Sequence, residues 1–317
     1  MPEAQRVVFG QTMVELAERF EDFVLLDGDL ANSTRADILA QARPDRFIEL
    51  GIAEQNLAGV AAGLATLGYR PWLSSFAVFL VNRDLDQIRM LVAQNRLPVR
   101  LAGAYAGLWT GYTGKTHQCV ADLAVMRALP AMTVLAPADA AEARLALVYA
   151  HTVDGPAYVR LCRDPVDDVT DPQARYDPAE GVWLRRGTAG TIVSTGVQTT
   201  RALRAADHLR ADGVDVGMLH LRAVKPLAET DLREAARIGP IVTVEEHSVL
   251  GGLGGAVAEF TAQAAPTRVL RLGIDDMFGT SGENEALLRR YGLDPQSVAA
   301  RTRAFLNDTA AWAEGGR

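Results

Sequence analysis

A short apolar strand runs directly into a helix in the segment Arg46-Phe-Ile-Glu-Leu-Gly-Ile-Ala-Glu54-Gln-Asn-Leu-Ala-Gly-Val-Ala-Ala-Gly63. The helix begins with one carboxylate, Glu54. Its larger apolar residues recur at the spacing of a buried stripe, namely Leu57, Val60, Leu64 and Leu67. The face that carries Glu54 continues through three small residues, Ala58, Ala61 and Ala65. We therefore expect space beside this carboxylate for a ligand.

The first half of the chain repeats this order of strand and helix. Short apolar runs predict strands at residues 23–27, 47–50, 99–103, 133–136 and 157–161, with helical segments between them. Such alternation is typical of a mainly parallel sheet covered by helices, which predicts the α/β class.

A change of composition divides the chain into two domains. The run from Asp164 to Pro178 is rich in proline and aspartate and has no sustained periodicity. A second α/β pattern follows, with strands predicted at 191–194, 214–219, 241–245 and 268–272 and helices at 199–211, 232–238 and 256–263. We therefore predict a domain at 1–168, a linker at 169–187 and a smaller α/β domain at 188–317.

Composition argues against several classes of protein. With 317 residues, 49% of them apolar, the chain can fill the cores of two domains. Its net charge of −7, with lysine and arginine scattered, argues against a nucleic acid partner. No secretory signal and no apolar run near the roughly 20 residues of a membrane span are found, so we expect a cytoplasmic protein without membrane contact. Cys119 and Cys162 lack metal or redox spacing and are expected to be structural thiols.

Three motifs in the first half carry candidate chemistry: Gly51-Ile-Ala-Glu54-Gln-Asn56, Pro71-Trp-Leu-Ser-Ser-Phe76-Ala-Val-Phe79, and Gly114-Lys-Thr-His117-Gln118. Each alone has an ordinary explanation: a carboxylate stabilised by the helix dipole, two phenylalanines in a core, and a polar histidine in a loop. Together, in this order and spacing, they resemble the pyrimidine-binding domain of transketolase-type enzymes, which use thiamine diphosphate. The second half resembles the smaller transketolase C-terminal α/β domain.

The resemblance implies roles for five residues. Glu54 matches the family glutamate that hydrogen-bonds the aminopyrimidine ring of the cofactor, and Phe76 and Phe79 match aromatic positions around that ring. His117 matches an active-site histidine, whose imidazole can exchange a proton with a substrate hydroxyl near neutral pH. Asp29 matches an aspartate near the cofactor, although its Asp-Gly-Asp turn also suits an aspartate that binds only backbone.

One feature of the family is missing from this sequence. Transketolases bind Mg²⁺ and the diphosphate of the cofactor with a Gly-Asp-Gly loop followed by an asparagine, whereas Gly28-Asp29-Leu30 breaks that pattern. The resemblance therefore implies a split enzyme with no metal ligand in this chain. A separate N-terminal transketolase subunit would hold the diphosphate and Mg²⁺, and an α2β2 assembly would place Glu54 against the cofactor.

The substrate residues follow the family only in part. Arg6, Ser33 and Arg163 match positions at which transketolases hold a sugar phosphate, an anion that suits arginine forks. Tyr105 stands where the family usually has histidine, and Thr113 where it usually has aspartate. In the family, the residues at both positions contact donor hydroxyls, so the resemblance leaves a modified ketose or a 2-oxo acid donor open. The implied reaction transfers a two-carbon ketol unit from this donor to an aldehyde or ketone acceptor.

Alternative functions remain at this point. A 1-deoxyxylulose-phosphate-synthase-like enzyme and the β subunit of a pyruvate-dehydrogenase-type enzyme share this plan, and Thr116-His117-Gln118 disfavours the latter. A non-catalytic scaffold is the alternative of another class. In the second half, we expect Gly251-Gly-Leu-Gly-Gly255 to be a structural turn and Glu246 and His247 to serve subunit contacts.

Overall fold

Two mostly parallel sheets, one in each half of the chain, organise the structure. The computed structural model describes residues 2–315, with side chains up to residue 309. The helices are α1 (Gln5–Arg19), α2 (Ala31–Thr34), α3 (Asp37–Ala42), α4 (Glu54–Thr66), α5 (Ala77–Asn82), α6 (Leu85–Gln87), α7 (Asp122–Ala128), α8 (Ala140–Thr152), α9 (Gln198–Ala211), α10 (Glu229–Ile238), α11 (Leu253–Ala264), α12 (Asn284–Tyr291) and α13 (Pro295–Gly315). The strands are β1 (Phe23–Asp27), β2 (Phe47–Glu49), β3 (Arg70–Phe76), β4 (Arg100–Ala104), β5 (Thr133–Leu135), β6 (Ala157–Arg160), β7 (Gly181–Arg185), β8 (Thr191–Ser194), β9 (Gly217–Leu221), β10 (Ala223–Lys225), β11 (Ile241–Ser248) and β12 (Val269–Ile274). Short 3-10 helices occupy Pro44–Arg46 and Gly111–Thr113, and a π-helix occupies Ile88–Ala93.

The first sheet has seven strands in the order β10-β5-β6-β4-β3-β1-β2. Its neighbouring strands are parallel except for β10, which runs antiparallel to β5. Strands β1, β4 and β6 are buried along their whole length, which explains their mostly apolar sequences. Strand β3 lies between β1 and β4 but is absent from the sequence-based prediction, because Pro71 and two serines interrupt its apolar pattern.

The second sheet has five strands in the order β12-β11-β8-β9-β7. Strands β8, β9, β11 and β12 pair in parallel, whereas β7 runs antiparallel to β9 at the sheet edge. Strand β7 lies at Gly181–Arg185, inside the segment 169–187 that was predicted to be linker. That part of the prediction is wrong, because β7 is stabilised by a partner strand distant in sequence, which local composition does not reveal.

Buried polar groups join the two halves of the chain. Strand β10 belongs to the second half but extends the first sheet by pairing with β5. The carboxylate of Glu142 on α8 accepts hydrogen bonds from His220 Nε2 at 2.6 Å and from Arg222 Nε at 3.0 Å. All three side chains are buried, so this contact fixes one sheet against the other.

Glu246 on β11 forms a second buried junction. Its Oε1 accepts hydrogen bonds from the backbone N–H groups of Leu108 at 2.6 Å and Trp109 at 2.7 Å, and its Oε2 lies 3.0 Å from Arg201 Nη1. Glu246 and the adjacent His247 are almost completely buried within this chain. The expectation that these two residues serve subunit contacts is therefore wrong, because they are used inside the chain.

Candidate active site

Glu54 is the first residue of helix α4, shortly beyond the end of strand β2. This position places its carboxylate at the carboxyl edge of the first sheet, where ligands bind in parallel α/β folds. The side chain is only 4% exposed, and its Oε1 accepts a hydrogen bond from Arg83 Nη1 at 2.7 Å. A cavity of about 540 Å³ lies beside it and is lined by Ile52, Ala53, Glu54, Gln55, Asn56 and Arg83.

The buried face of helix α4 agrees with the predicted stripe at Leu57, which is fully buried, but differs from it elsewhere. The three alanines on the face of Glu54 are buried, whereas Leu67 is 76% exposed and Val60 and Leu64 are only partly buried. Small residues allow the helix to pack closely on the sheet, where larger side chains would not fit. The cavity lies at the start of the helix, and the alanine face is filled by core packing.

Phe76, Phe79, Tyr105 and His117 form one cluster of rings. The rings of Phe76 and Tyr105 stack with a centroid distance of 4.0 Å, and those of Phe76 and Phe79 stack at 5.7 Å. The ring of His117 contacts both phenylalanines edge-on, at 5.9 Å from Phe76 and 5.5 Å from Phe79. Its Nδ1 lies 2.9 Å from Thr116 Oγ1. The fold thus brings together predicted site residues from three separate segments.

Arg83 connects Glu54 to this ring cluster and is absent from the sequence-based prediction. Its guanidinium carbon lies 4.1 Å from the centroid of the Phe79 ring, while its Nη1 donates to Glu54. The Arg83 side chain is 47% exposed, so it forms the outer wall of the site. The sequence does contain a sign that Arg83 belongs to the site: it follows Phe79 by four residues, which is the spacing of neighbours on one helix face.

Arg6, Ser33 and Arg163 meet Tyr105 on another side of the cluster. Arg6 Nη1 donates hydrogen bonds to the Tyr105 hydroxyl at 3.2 Å and to the Ser33 carbonyl at 3.3 Å. The guanidinium carbon of Arg163 lies 5.5 Å from the centroid of the Tyr105 ring. Tyr105 has a φ of 58°, a left-handed conformation that is costly outside glycine and frequent at functional sites. The guanidinium groups of Arg6 and Arg163, together with the Tyr105 hydroxyl, can bind an anionic ligand.

Thr113 and Asp29 have other surroundings. Thr113 Oγ1 lies 2.6 Å from Thr110 Oγ1, and Thr113 lines a second cavity of about 340 Å³ to which Arg163 also contributes. Asp29 is exposed, and its backbone N–H donates to Glu49 Oε1 at 3.0 Å. Thr113 is therefore linked to the ring cluster through Arg163. Asp29 lies at the same carboxyl edge of the first sheet as Glu54 but is not part of the ring cluster.

Two buried aspartates accompany the site. Asp27 Oδ1 accepts a hydrogen bond from the Leu30 N–H at 2.7 Å, so Asp27 makes the turn bond that the sequence also allowed for Asp29. Burial raises the pKa of Asp27 to about 6. Neither carboxylate oxygen of the buried Asp84 is hydrogen-bonded to another described residue. Burial, and to a smaller extent the charge of Glu54, raises the pKa of Asp84 to about 8.

The glycine-rich turn of the second half binds a side chain of the chain itself. The carboxylate of Glu245 accepts hydrogen bonds from the N–H groups of Leu253 at 2.7 Å and Gly254 at 2.8 Å. A Cβ atom at Gly252 would clash with this carboxylate. The interpretation as a structural turn is confirmed, because an internal anion occupies the N–H groups that a phosphate would need.

The sequence also raised the questions of reactive cysteines, metal sites and membrane-spanning helices. Cys119 and Cys162 are buried free thiols, and burial raises the pKa of each to about 12, as is typical of inert structural cysteines. Among the described residues, no group of three or more His, Cys, Asp or Glu side chains is arranged to hold a metal ion. Within residues 2–315, no helix combines the length and apolar character that crossing a membrane requires.

Comparison with known proteins identifies both halves of the chain. Residues 3–167 match the family model of the transketolase pyrimidine-binding domain, and residues 179–298 match that of the transketolase C-terminal domain. A Methanocaldococcus jannaschii protein whose name contains "transketolase C-terminal section" is 39% identical over 296 residues, which cover 92% of this chain and 93% of that protein. The 6-deoxy-6-sulfo-D-fructose transketolase subunit SqwH of a Clostridium species is 35% identical and covers 92% of this chain and 91% of its own length.

The similarity extends to solved structures. A structure described as a split gene transketolase, inactive beta4 tetramer, has 43% sequence identity and a TM-score of 0.90, and the match covers 96% of this chain and 98% of that one. The predicted α/β class, the order of the two domains and the family are thereby confirmed. The chain belongs to the transketolase family of thiamine-diphosphate-dependent transferases and comprises its pyrimidine-binding and C-terminal domains.

Proposed function

We propose that this chain is the C-terminal subunit of a two-chain transketolase, which transfers a two-carbon ketol unit from a ketose or 2-oxo acid donor to an aldehyde or ketone acceptor. The observation that carries the proposal is the buried carboxylate of Glu54, which borders a cavity and is joined to a cluster of rings through Arg83. Relatives that match along almost the whole chain support it. We also propose a cytoplasmic location, which agrees with two free thiols.

The residues of this site suit the pyrimidine end of thiamine diphosphate. Glu54 offers a buried hydrogen-bond acceptor, while Phe76 and Phe79 offer ring faces for stacking. When bound, the cofactor supplies a carbanion-type nucleophile for the donor carbonyl. Arg83 now contacts both Glu54 and Phe79, so we expect Arg83 to move aside when the ring binds.

We assign the diphosphate and Mg²⁺ to a separate N-terminal subunit. The segment Gly28-Asp29-Leu30 departs from the family loop that holds them. The related assembly described as a beta4 tetramer is also described as inactive, which supports the need for a second kind of subunit. An α2β2 complex would cover the cavity next to the exposed Ile52 and bring the exposed Asp29 near the cofactor.

The substrate would lie between the ring cluster and the two arginines. Thr116 contacts Nδ1 of His117, so we propose Nε2 as the nitrogen that exchanges a proton with a substrate oxygen. Arg6 and Arg163 would orient an anionic end of the substrate beside Tyr105.

Ser33 and Thr113 have supporting roles in this proposal. Ser33 uses its carbonyl oxygen to hold Arg6, while its hydroxyl donates to Asn32 Oδ1 at 3.2 Å. Thr113 would bind a substrate hydroxyl from the neighbouring cavity. The name of the sulfo-fructose transketolase relative indicates an anionic sugar for that protein, and we propose an anionic sugar as the first donor class to test here.

Reconstitution with the N-terminal subunit tests the proposal. Isothermal titration calorimetry should detect tight, Mg²⁺-dependent binding of thiamine diphosphate only to the mixture. Glu54→Gln keeps the size of the side chain but removes its charge, and it should lower ketol transfer at least about 100-fold. Glu18→Gln, at an exposed position on α1, is the matched control and should retain activity.

Three outcomes would change the conclusion. Normal turnover by the Glu54→Gln complex would refute the role of this carboxylate. A mixture that assembles but binds no cofactor would indicate a non-catalytic scaffold. In a donor screen with ketose phosphates and pyruvate, a strict requirement for pyruvate would indicate the synthase-like alternative, which the replacements at Tyr105 and Thr113 motivate.

A further inference from the structure

A loop of the C-terminal domain packs against the segment that carries His117. This loop spans residues 275–283, between β12 and α12. Gln118 Nε2 donates a hydrogen bond to the Thr280 carbonyl at 3.0 Å. A Cβ atom at Gly279 would clash with Gln118 Oε1, so a larger residue there would displace the Gln118 side chain from this contact. The C-terminal domain therefore borders the proposed substrate site.

The cavity of about 340 Å³ lies where the two domains meet. Its lining from the first domain is Thr110, Gly111, Tyr112, Thr113, Arg163 and Asp164, and its lining from the second is Glu283 and Asn284. Arg163 is one of the two arginines beside Tyr105 that would bind the anionic end of a substrate. Groups that control the orientation of Arg163 would therefore control anion binding.

A chain of hydrogen bonds runs from Asn284 to Arg163. Asn284 Nδ2 donates to Asp164 Oδ2 at 2.8 Å, and the other carboxylate oxygen of Asp164 accepts from Arg163 Nη1 at 3.0 Å. Because a carboxylate only accepts hydrogen bonds, it fixes which end of the Asn284 amide faces it. Arg163 is thus held by Asp164 and packs over the ring of Tyr105.

The position of Asn284 is not explained by helix capping. The N-cap of α12 is Glu283, whose side chain makes no capping hydrogen bond. The Oδ1 atom of Asn284 is buried without a hydrogen-bond partner among the residues the structure describes, and a Cβ atom at Gly111 would lie 3.1 Å from it. A buried unpaired amide oxygen is unfavourable, so the bond from Nδ2 to Asp164 is the contact that holds this side chain.

We propose that Asn284 is a positioning residue for Arg163, acting through Asp164, so that the C-terminal domain takes part in recognising the anionic end of the substrate. The inference rests on the proposed function, because it requires that Arg163 binds this anion. Without Asn284, Asp164 loses one of its two partners and can turn toward solvent together with Arg163. An anionic ligand then meets a poorly ordered guanidinium, whereas a neutral sugar is unaffected.

Ligand binding to the full chain tests this proposal. NMR titrations with ribose 5-phosphate, and with ribose as the neutral probe, would compare the wild type with Asn284→Ala. We expect about fivefold weaker binding of ribose 5-phosphate, as for the loss of one ordinary hydrogen bond, and unchanged binding of ribose. Glu285→Ala, at the next residue of α12 but outside this cavity, should resemble the wild type. Equal losses for both sugars would indicate a general structural role and overturn the proposal.

Further variants separate this inference from the proposed function. If Arg163→Ala binds ribose 5-phosphate as tightly as the wild type, the proposed anion site is wrong and the inference falls with it. If Arg163→Ala weakens binding but Asn284→Ala does not, the proposed function stands and the positioning role is refuted. In the double variant, the change at Asn284 should add no further loss, because its effect passes through Arg163. Asn284→Ser gives the same comparison with a smaller polar side chain should the alanine variant fold poorly.

Discussion

Arg83 makes the two contacts that the cofactor ring is proposed to make. Its guanidinium is planar, donates to the buried carboxylate of Glu54, and lies over the ring of Phe79. A planar aminopyrimidine would need the same acceptor and the same ring face. We therefore expect Arg83→Ala to strengthen the binding of thiamine diphosphate, because the cofactor no longer has to displace a side chain.

The size of this effect follows from the two contacts. The ion pair has an N–O distance of 2.7 Å, but Arg83 is 47% exposed, so its contribution is about 1 kcal/mol and well below that of a fully buried pair. The contact with Phe79, at 4.1 Å from the ring centroid, adds about 0.5 kcal/mol or slightly more. Loss of both contacts in Arg83→Ala should therefore tighten cofactor binding about tenfold.

Calorimetric titration of thiamine diphosphate into the reconstituted complex, with Mg²⁺ present, would measure this change. Arg89→Ala is the matched control, because Arg89 is an arginine of the following π-helix that pairs with the exposed Asp86 instead of with Glu54. Unchanged or weaker cofactor binding in Arg83→Ala would refute the reasoning. It would mean that Arg83 stays in place or itself holds the cofactor.

Two predictions concern the stability of the free chain. The pKa of Asp84 is raised from its ordinary value of 3.8 to about 8, so between these values the unfolded chain releases a proton that the folded chain keeps. The free energy of unfolding should fall as pH rises through this window, by about 1.4 kcal/mol per pH unit at most. Urea denaturation at pH 5.5 and 7.5 should show a smaller fall in Asp84→Asn. Glu246→Ala should lower the free energy of unfolding by about 3 kcal/mol or more, because it leaves the buried Arg201 without this partner. Glu246→Gln keeps a hydrogen-bond acceptor for Arg201, so it should lower the free energy of unfolding by less. Equal urea midpoints for the two Glu246 variants would contradict this explanation.

Much of the first sheet could be predicted because each of its buried strands is marked by the residues of that strand alone. In a parallel sheet covered on both faces, buried strands are short continuous apolar runs, and such runs indicated β1, β2, β4, β5 and β6. The carboxyl ends of these strands lie along one edge, so motifs at 51–56 and 114–118 are brought near each other without further signals. The same reasoning correctly buried Leu57 of α4 but wrongly placed the exposed Leu67 in the buried stripe, because periodicity records apolar size and not how closely a helix must approach a sheet.

Contacts that depend on distant partners could not be predicted in this way. Strand β7 exists because it pairs with β9, and β10 leaves its own half to pair with β5. The bond from Asn284 to Asp164 spans 120 residues, and that from Leu108 to Glu246 spans 138. A polar residue in such a pair has the sequence signature of an ordinary surface residue, because its burial is determined by the partner.

The two cavities of the site are consequently built from different parts of the chain. The cavity at Glu54 is lined by the first domain alone, whereas the cavity at Arg163 is lined by both domains. A change at Asn284, the residue that follows the loop 275–283, can therefore reach the substrate through Asp164 and Arg163 but has no such path to Glu54. If the site works as proposed, such changes should alter affinity for anionic substrates and leave cofactor affinity unchanged. A variant at Asn284 that weakened cofactor binding alone would show that this division of the site is wrong.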